Sequence, residues 1–291
     1  MLKFILKIIL LLFGVVLLFS AVRSVFIPIR KNYNSAFVDK LKKVREIKNE
    51  RKIILYGGSS VGWGISAKQI EENTGIKCIN LGHHAGFGLI DFQDFILDNL
   101  NPDDIIIFSP EWVFYFNPWH VDTATLDNLL FNVQYGYLIN NYKHIWNGFF
   151  RKIKHVPSNE HNLQDPFRYK AFNENGDVIS HCHLQKRERV FYEINNPDSF
   201  DIHNFVLAFP LIKRKNTFLV FPPVQENIYN TFVNELNEIE IKLNKHKLPY
   251  LNPLIDNVYP DSVFFDAEYH LTCTQRKIRT QTIIDLIMHS E

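Results

Sequence analysis

Three short apolar runs, at residues 52–56, 76–81 and 105–108, limit the fold of this 291-residue chain more than any other feature. Each is too short for a helix, and each ends in turn-forming residues. Gly57-Gly58-Ser59-Ser60 follows the first, Gly82 the second and Ser109-Pro110 the third. Helix signals lie between them. Ser66 with Gln69 is a capping-box pattern, Thr74-Gly75 is a stop, and a helix over 89–100 ends at Asn101-Pro102. Apolar strands alternating with helices bury both of their sides, which requires a parallel sheet covered on both faces. The rhythm returns at 217–221. Ile228, Phe232, Leu236, Ile239 and Leu243 then follow at the spacing of one helix face. A short strand near Tyr250 and a helix after His270 complete the pattern.

Between 113 and 215 the rhythm lapses into an aromatic- and His-containing stretch, read as an insertion or small helical subdomain after the third strand. At the other end, Lys3 and Lys7 precede an uncharged run over 8–22. Residues 4–6 extend this run to the roughly 20 residues that span a bilayer, provided Lys7 snorkels to the interface. Phe19 and Val22 stand where a signal-peptide cleavage site needs small side chains. The expectation is therefore an uncleaved, single-pass transmembrane anchor at 1–27 and a juxtamembrane segment at 28–51. An α/β domain over 52–291 follows, with the insertion at 113–215. Basic residues flank the anchor on both sides, so charge does not orient it.

Formal net charge is +1, and no basic patch is interleaved with stacking aromatics, so nucleic acid is not an expected partner. No GxxxxGK[ST] occurs. Gly62, Gly64 and Ala67 match GxGxxA, but the match begins well past the strand and lacks the acidic residue that a dinucleotide ribose needs. No nucleotide or other cofactor is expected. Cys78, Cys182 and Cys273 show no CxxC spacing, and an odd count makes no complete disulfide framework. Cys78, inside a strand-like run, reads as a small buried hydrophobe. His181 and His183 could share a strand face with Cys182 pointing away, but no third ligand stands nearby in sequence, and no metal site is expected. Asp103 and Asp104 read as a solvated turn, and 213–215 as a solvated basic edge.

Chemistry is concentrated at two places. Ser59, with Ser60 as its rival, sits at the carboxyl end of the first strand after two glycines, where open α/β sheets place their ligands. Asp266 and His270 stand four residues apart near the other end of the chain, a spacing at which the two side chains can meet on a turn. A hydroxyl nucleophile needs an imidazole to take its proton and a carboxylate to orient that ring. Glu268 is the alternative acid.

These blocks, in this order, resemble the SGNH/GDSL hydrolase superfamily, as a membrane-anchored bacterial member. Gly57-Gly58-Ser59-Ser60 resembles its first block, with Gly58 where that family's Asp usually stands. Residues 80–88 resemble the Gly-bearing second block, and Asp266 to Leu271 with the following basic helix resembles the last. The resemblance implies a flavodoxin-like sheet, Ser59 as nucleophile, His270 as base and Asp266 as orienter. It also implies an oxyanion hole built from Ser59 and Gly86, or alternatively Gly82. The family's third block supplies an Asn; here the third strand ends in Ser109-Pro110-Glu111-Trp112. Glu111 is thus expected to bind substrate or act structurally. His84 is expected near the site, either facing substrate or bonded to backbone. The function so implied is a serine esterase or O-acyltransferase for an acylated carbohydrate or cell-envelope polymer, on the extracytoplasmic side of a membrane. The alternative is an inactive membrane-anchored component of envelope polysaccharide assembly.

Overall fold

The structure, a computed structural model, describes residues 2–29, 33–34, 36–120, 166–187 and 200–290. Parts of the expected insertion, 121–165 and 188–199, lie outside the described residues. In chain order the helices and strands are α1 (Leu2–Ile29), α2 (Ala36–Glu46), β1 (Lys52–Gly57), α3 (Ser59–Gly64), α4 (Ala67–Thr74) and β2 (Lys77–Asn80). Next come α5 (Gln93–Asp98), β3 (Ile105–Ser109), α6 (Trp112–Phe116), α7 (Ile202–Ala208), β4 (Thr217–Leu219) and β5 (Val224–Gln225). The chain ends with α8 (Glu226–Thr231), α9 (Val233–Lys245), β6 (Val258–Tyr259) and α10 (Cys273–Ser290).

A four-stranded sheet in the order β2-β1-β3-β4 is parallel throughout, and Tyr250 adds an isolated parallel bridge to Leu219 at its edge. Every residue of β1 and β3 is buried, and alternate residues serve opposite faces. Ile54, Tyr56, Ile106 and Phe108 pack with α2, α5, α6, α7 and α9. Ile53, Leu55, Ile105 and Ile107 pack with Val61, Ile70 and the Ile283, Ile284 and Ile287 stripe of α10. Burying each such side chain contributes about 2 kcal/mol, so the unbroken apolar strands settle the two-sided layering.

The expected fold class joined a flavodoxin-like sheet to an N-terminal transmembrane helix, and this needs correction. A parallel α/β layer structure stands. Among the described residues, however, no helix is long and apolar enough to cross a membrane. The physical reason lies at Lys7. The uncharged run between Lys7 and Arg23 covers residues 8–22, roughly 22 Å of helix against a hydrocarbon core of about 30 Å. The single-pass anchor, the membrane as partner and the extracytoplasmic location fall with that finding. The apolar side chains over residues 8–13 and 15–18 are exposed. The segment expected to be juxtamembrane contains α2, which lays Phe37, Leu41 and Val44 into the core beside β2.

Local signals act where their chemistry predicts. Ser66 Oγ accepts from the Gln69 N–H at 3.3 Å, and Gly75 closes α4 at φ 70°, a left-handed conformation that favours glycine. One helix expected over 228–243 is two, broken at Phe232, and only Leu236, Ile239 and Leu243 of that face are fully buried. The start of α4 also depends on a residue far away in sequence. Asp177 Oδ1 accepts from the Ala67 N–H (2.7 Å) and Asn80 Nδ2 (2.9 Å), and Oδ2 accepts from Ser66 Oγ (3.0 Å), the Lys68 N–H (3.1 Å) and Asn173 Nδ2 (3.0 Å). This fully buried carboxylate caps α4 and fastens it to the end of β2. Asp177→Ala should lower unfolding stability by about 3 kcal/mol in urea titrations, because the buried donors lose their charged acceptor. A loss below about 0.5 kcal/mol would show the carboxylate to be idle.

Candidate functional site

The carboxyl ends of β1 and β3 meet where the strand order reverses direction, since β2 lies on one side of β1 and β3 on the other. In open α/β sheets this crevice is where ligands bind. Here it is bridged by Glu111, which follows β3. Its carboxylate accepts from the N–H groups of Gly58 (3.1 Å) and Ser60 (2.8 Å) on the turn after β1. Gly58 must be small for this to happen: a Cβ there would lie 2.2 Å from both Glu111 carboxylate oxygens. Gly57 is similarly confined, by the Ser109 carbonyl.

The turn separates the two candidate hydroxyls. Ser60 is fully buried and donates to the Ser109 carbonyl at 3.2 Å. Ser59, the first residue of α3, is half-buried, and no hydrogen bond to its N–H or hydroxyl is formed among the described residues.

Asp266 and His270 come together. His270 Nδ1 lies 2.6 Å from Asp266 Oδ1. They sit on a loop rather than a helix, closed by the antiparallel bridge between Phe264 and Leu271 and by the Phe265 N–H donating to the His270 carbonyl at 2.7 Å. The imidazole stacks on Trp63, with ring centroids 4.2 Å apart and planes 8° from parallel. Trp63 is one helical turn beyond Ser59 on the same face of α3. Residues more than two hundred positions apart thus converge on one short helix. Ser59 and His270 share no hydrogen bond. Catalytic hydrogen bonds are often long without substrate.

The remaining expected residues have occupied groups. The Gly82 N–H donates to Asn80 Oδ1 at 2.8 Å, and the Gly82 carbonyl accepts from buried Lys40 Nζ at 2.6 Å. The Gly86 N–H donates to His84 Nδ1 at 3.0 Å, so His84, an exposed residue, caps a backbone turn. Glu111 is a structural clamp on the turn that carries Ser59.

Around the loop the acids crowd one another. Burial pushes the Glu111 carboxyl up to about 7, opposed by the N–H groups it binds. Burial also lifts Glu268 to about 8, helped by the charges of Glu111 and Asp266. His181 is driven down to about 3 by burial and by the neighbouring Arg276 and His270.

Several residues here carried no readable sequence signal. Trp63 is fully buried and touches both His270 and His181, whose ring centroid lies 4.4 Å away. Cys182 and Cys273, 91 positions apart, form a disulfide. Their sulfurs and His181 are close enough together to hold a metal ion as a group, a grouping that the pairing of His181 with His183 did not foresee. Cys78 is buried and free.

Two outcomes follow. Gly58→Ala meets no strain at its φ of −89°, so its cost, about 2 kcal/mol, comes from displacing the Glu111 carboxylate. A double-mutant cycle with Glu111→Ala should remove most of that cost, and additive losses would separate the two residues. The second outcome concerns pH. Glu111 and Glu268 both hold their protons more tightly folded than unfolded. Their contribution to stability is complete below the ordinary value of 4.5 and is lost as pH rises through about 7 and about 8 respectively. Between about pH 5 and about pH 9, Glu268→Gln should lose about 2 kcal/mol less stability than wild type. Equal losses would clear Glu268 of the effect.

No family model matches the chain, and no curated protein matches it. A solved structure, the lipase/acylhydrolase from Enterococcus faecalis, is distantly similar. Its TM-score is 0.42 at 14% identity, over 82% of this chain and 96% of that one. A likeness this loose assigns neither family nor chemistry. The SGNH/GDSL membership expected from the motifs, as a membrane-anchored member, is therefore not upheld. Gly-Gly-Ser and Asp-x-x-x-His are turn-sized patterns, short enough to arise wherever a strand or loop ends this way. The chain stands as a parallel α/β protein distantly similar to a lipase/acylhydrolase.

Proposed function

We propose that the chain is a serine-dependent esterase or acyl-transfer enzyme, with Ser59 as nucleophile, His270 as proton shuttle and Asp266 as the carboxylate that orients the ring. The observation that carries this reading is the Asp266–His270 pair held face-on against Trp63, on the helix that begins at Ser59. With Asp266 on Nδ1, the His270 Nε2 is the nitrogen left to take the Ser59 proton as Oγ attacks an ester carbonyl. The acyl group passes to Ser59, the alcohol leaves with the proton from His270, and water or an acceptor hydroxyl then releases the acyl group.

The Ser59 N–H is the first donor to the oxyanion. The second donor is Gly86, with Gly82 as the alternative; here the Gly82 N–H donates to fully buried Asn80 and the Gly86 N–H to exposed His84. Each such donor is worth about 3 kcal/mol of barrier.

A fluorophosphonate probe tests the assignment on the full chain. Wild type and Ser60→Ala should label, Ser59→Ala should not, and His270→Ala should label at least about 100-fold more slowly. A folded wild-type protein that does not label would instead favour a chain that keeps the fold without the chemistry. Labelling that persists in Ser59→Ala would move the nucleophile elsewhere.

A further inference from the structure

The disulfide joins the described part of the insertion to the first residue of α10, and its surroundings are unusual for a structural crosslink. Both cysteines are partly exposed. Cys273 opens an 18-residue helix, whose unpaired N–H groups and dipole favour negative charge. His181 Nε2 lies 3.2 Å from Cys273 Sγ, at donor distance for a thiolate. Arg276, one turn into the same helix, places Nη2 3.6 Å from Cys182 Sγ and 3.8 Å from Cys273 Sγ.

Arg276 is the sharpest of these observations. The residue is 5% exposed and its other terminal nitrogen donates to the Val178 carbonyl. Among the described residues, no carboxylate forms an ion pair with it. The Asp177 carboxylate acts on it only from beyond ion-pair distance, and a buried cation without a directly paired counter-charge is costly. The groups at which this guanidinium points are two sulfurs, which are neutral in the disulfide and become anionic only on reduction. The same guanidinium argues against a metal cation held by His181, Cys182 and Cys273, because it already occupies the sulfurs' polar side with positive charge.

We propose that Cys182 and Cys273 form a reversible thiol–disulfide centre, in which Cys273 is the stabilised thiolate, and that its redox state sets the mobility of the His270 loop. A dithiol reductant supplies the electrons. One of its thiolates attacks Cys182 Sγ, the S–S bond breaks, and the electron pair leaves on Cys273, the sulfur best placed to hold it. The reductant's second thiol then attacks the mixed disulfide and departs as a cyclic disulfide. Cys182 leaves as a thiolate and takes a proton from water.

Coupling to the candidate catalytic loop follows from the covalent path. Cys273 is three residues after His270, and Cys182 directly follows His181. Both histidine rings lie against Trp63. With the bond closed, the two chains that carry these histidines are tied to one another beside the indole. This coupling bears on the site described under Proposed function, but thiol acidity and loop mobility are measurable without any activity.

The test uses the full chain, reduced with dithiothreitol, freed of reductant and alkylated with iodoacetamide across a pH series, with each cysteine quantified by peptide mass spectrometry. Cys273 should reach half-maximal rate at least about one pH unit below the ordinary thiol value of about 8.5. His181→Ala, and Arg276→Gln if it folds, should move that midpoint upward. Glutathione should be trapped on Cys182. An ordinary midpoint for Cys273, or glutathione trapped on Cys273 instead, overturns the assignment of the thiolate. Hydrogen exchange over residues 264–272 should quicken at least about fivefold on reduction; an unchanged rate overturns the coupling. None of these readouts depends on Ser59, so a chain that fails to label with fluorophosphonate leaves them standing.

Discussion

A carboxylate delivered from the end of β3 holds the turn at the end of β1, and the geometry of the whole crevice depends on it. Parallel strands leave the N–H groups of such a turn without partners, since the next segment runs away as a helix rather than returning as a strand. Glu111 takes the Gly58 and Ser60 N–H groups, and the Ser60 hydroxyl bonds back to the Ser109 carbonyl. The two strand ends are therefore locked in register beyond the last sheet pair, Gly57 with Ser109. What remains of the turn is Ser59, the residue whose polar groups the lock does not use. A half-buried hydroxyl left over by a fully engaged turn is what distinguishes it from Ser60.

The same device recurs one helix later. Asp177 brings a buried carboxylate to the start of α4, and Asn80 ties that carboxylate to the α3–α4 connection by donating to the Val61 and Ile65 carbonyls as well. Between Glu111 at one end and Asp177 beyond the other, α3 has little freedom to tilt. That rigidity matters because the helix is only six residues long, with too few internal hydrogen bonds to keep its own direction. Trp63 inherits the rigidity and passes it to His270. Gly62 permits it, since the Val178 N–H reaches the Gly62 carbonyl at 3.0 Å and a Cβ at Gly62 would crowd the Gly82 carbonyl.

Local chemistry was the legible part of the sequence. The apolar runs that became β1, β2, β3 and β4, the Ser66 cap, the Gly75 stop and the Asp266–His270 pairing each depend on residues within a few positions of one another. Features resting on long separations were not legible. Nothing near Asp177 in the chain marks it as the cap of a helix 110 positions earlier, and Cys182 pairs with Cys273 only because the fold brings the inserted turn against α10. The Gly-bearing loop was readable as a motif, yet its N–H groups proved to be engaged by Asn80 and His84, a matter of side-chain rotamers that spacing does not encode. The N-terminal reading failed at a single charge, because it required Lys7 to count as part of an apolar run.

His270 stands where these constraints intersect. Its carbonyl is fixed by the Phe265 N–H, its ring by Trp63, its Nδ1 by Asp266, and its downstream chain by Cys273 and the start of α10. Ser59, by contrast, is placed by β1, β3 and Glu111. The two residues proposed to react with one another therefore belong to differently fastened segments, which meet at the Trp63 indole and again where α10 packs on α3 and the start of α4. A substrate bridging Ser59 and His270 would bind across that joint.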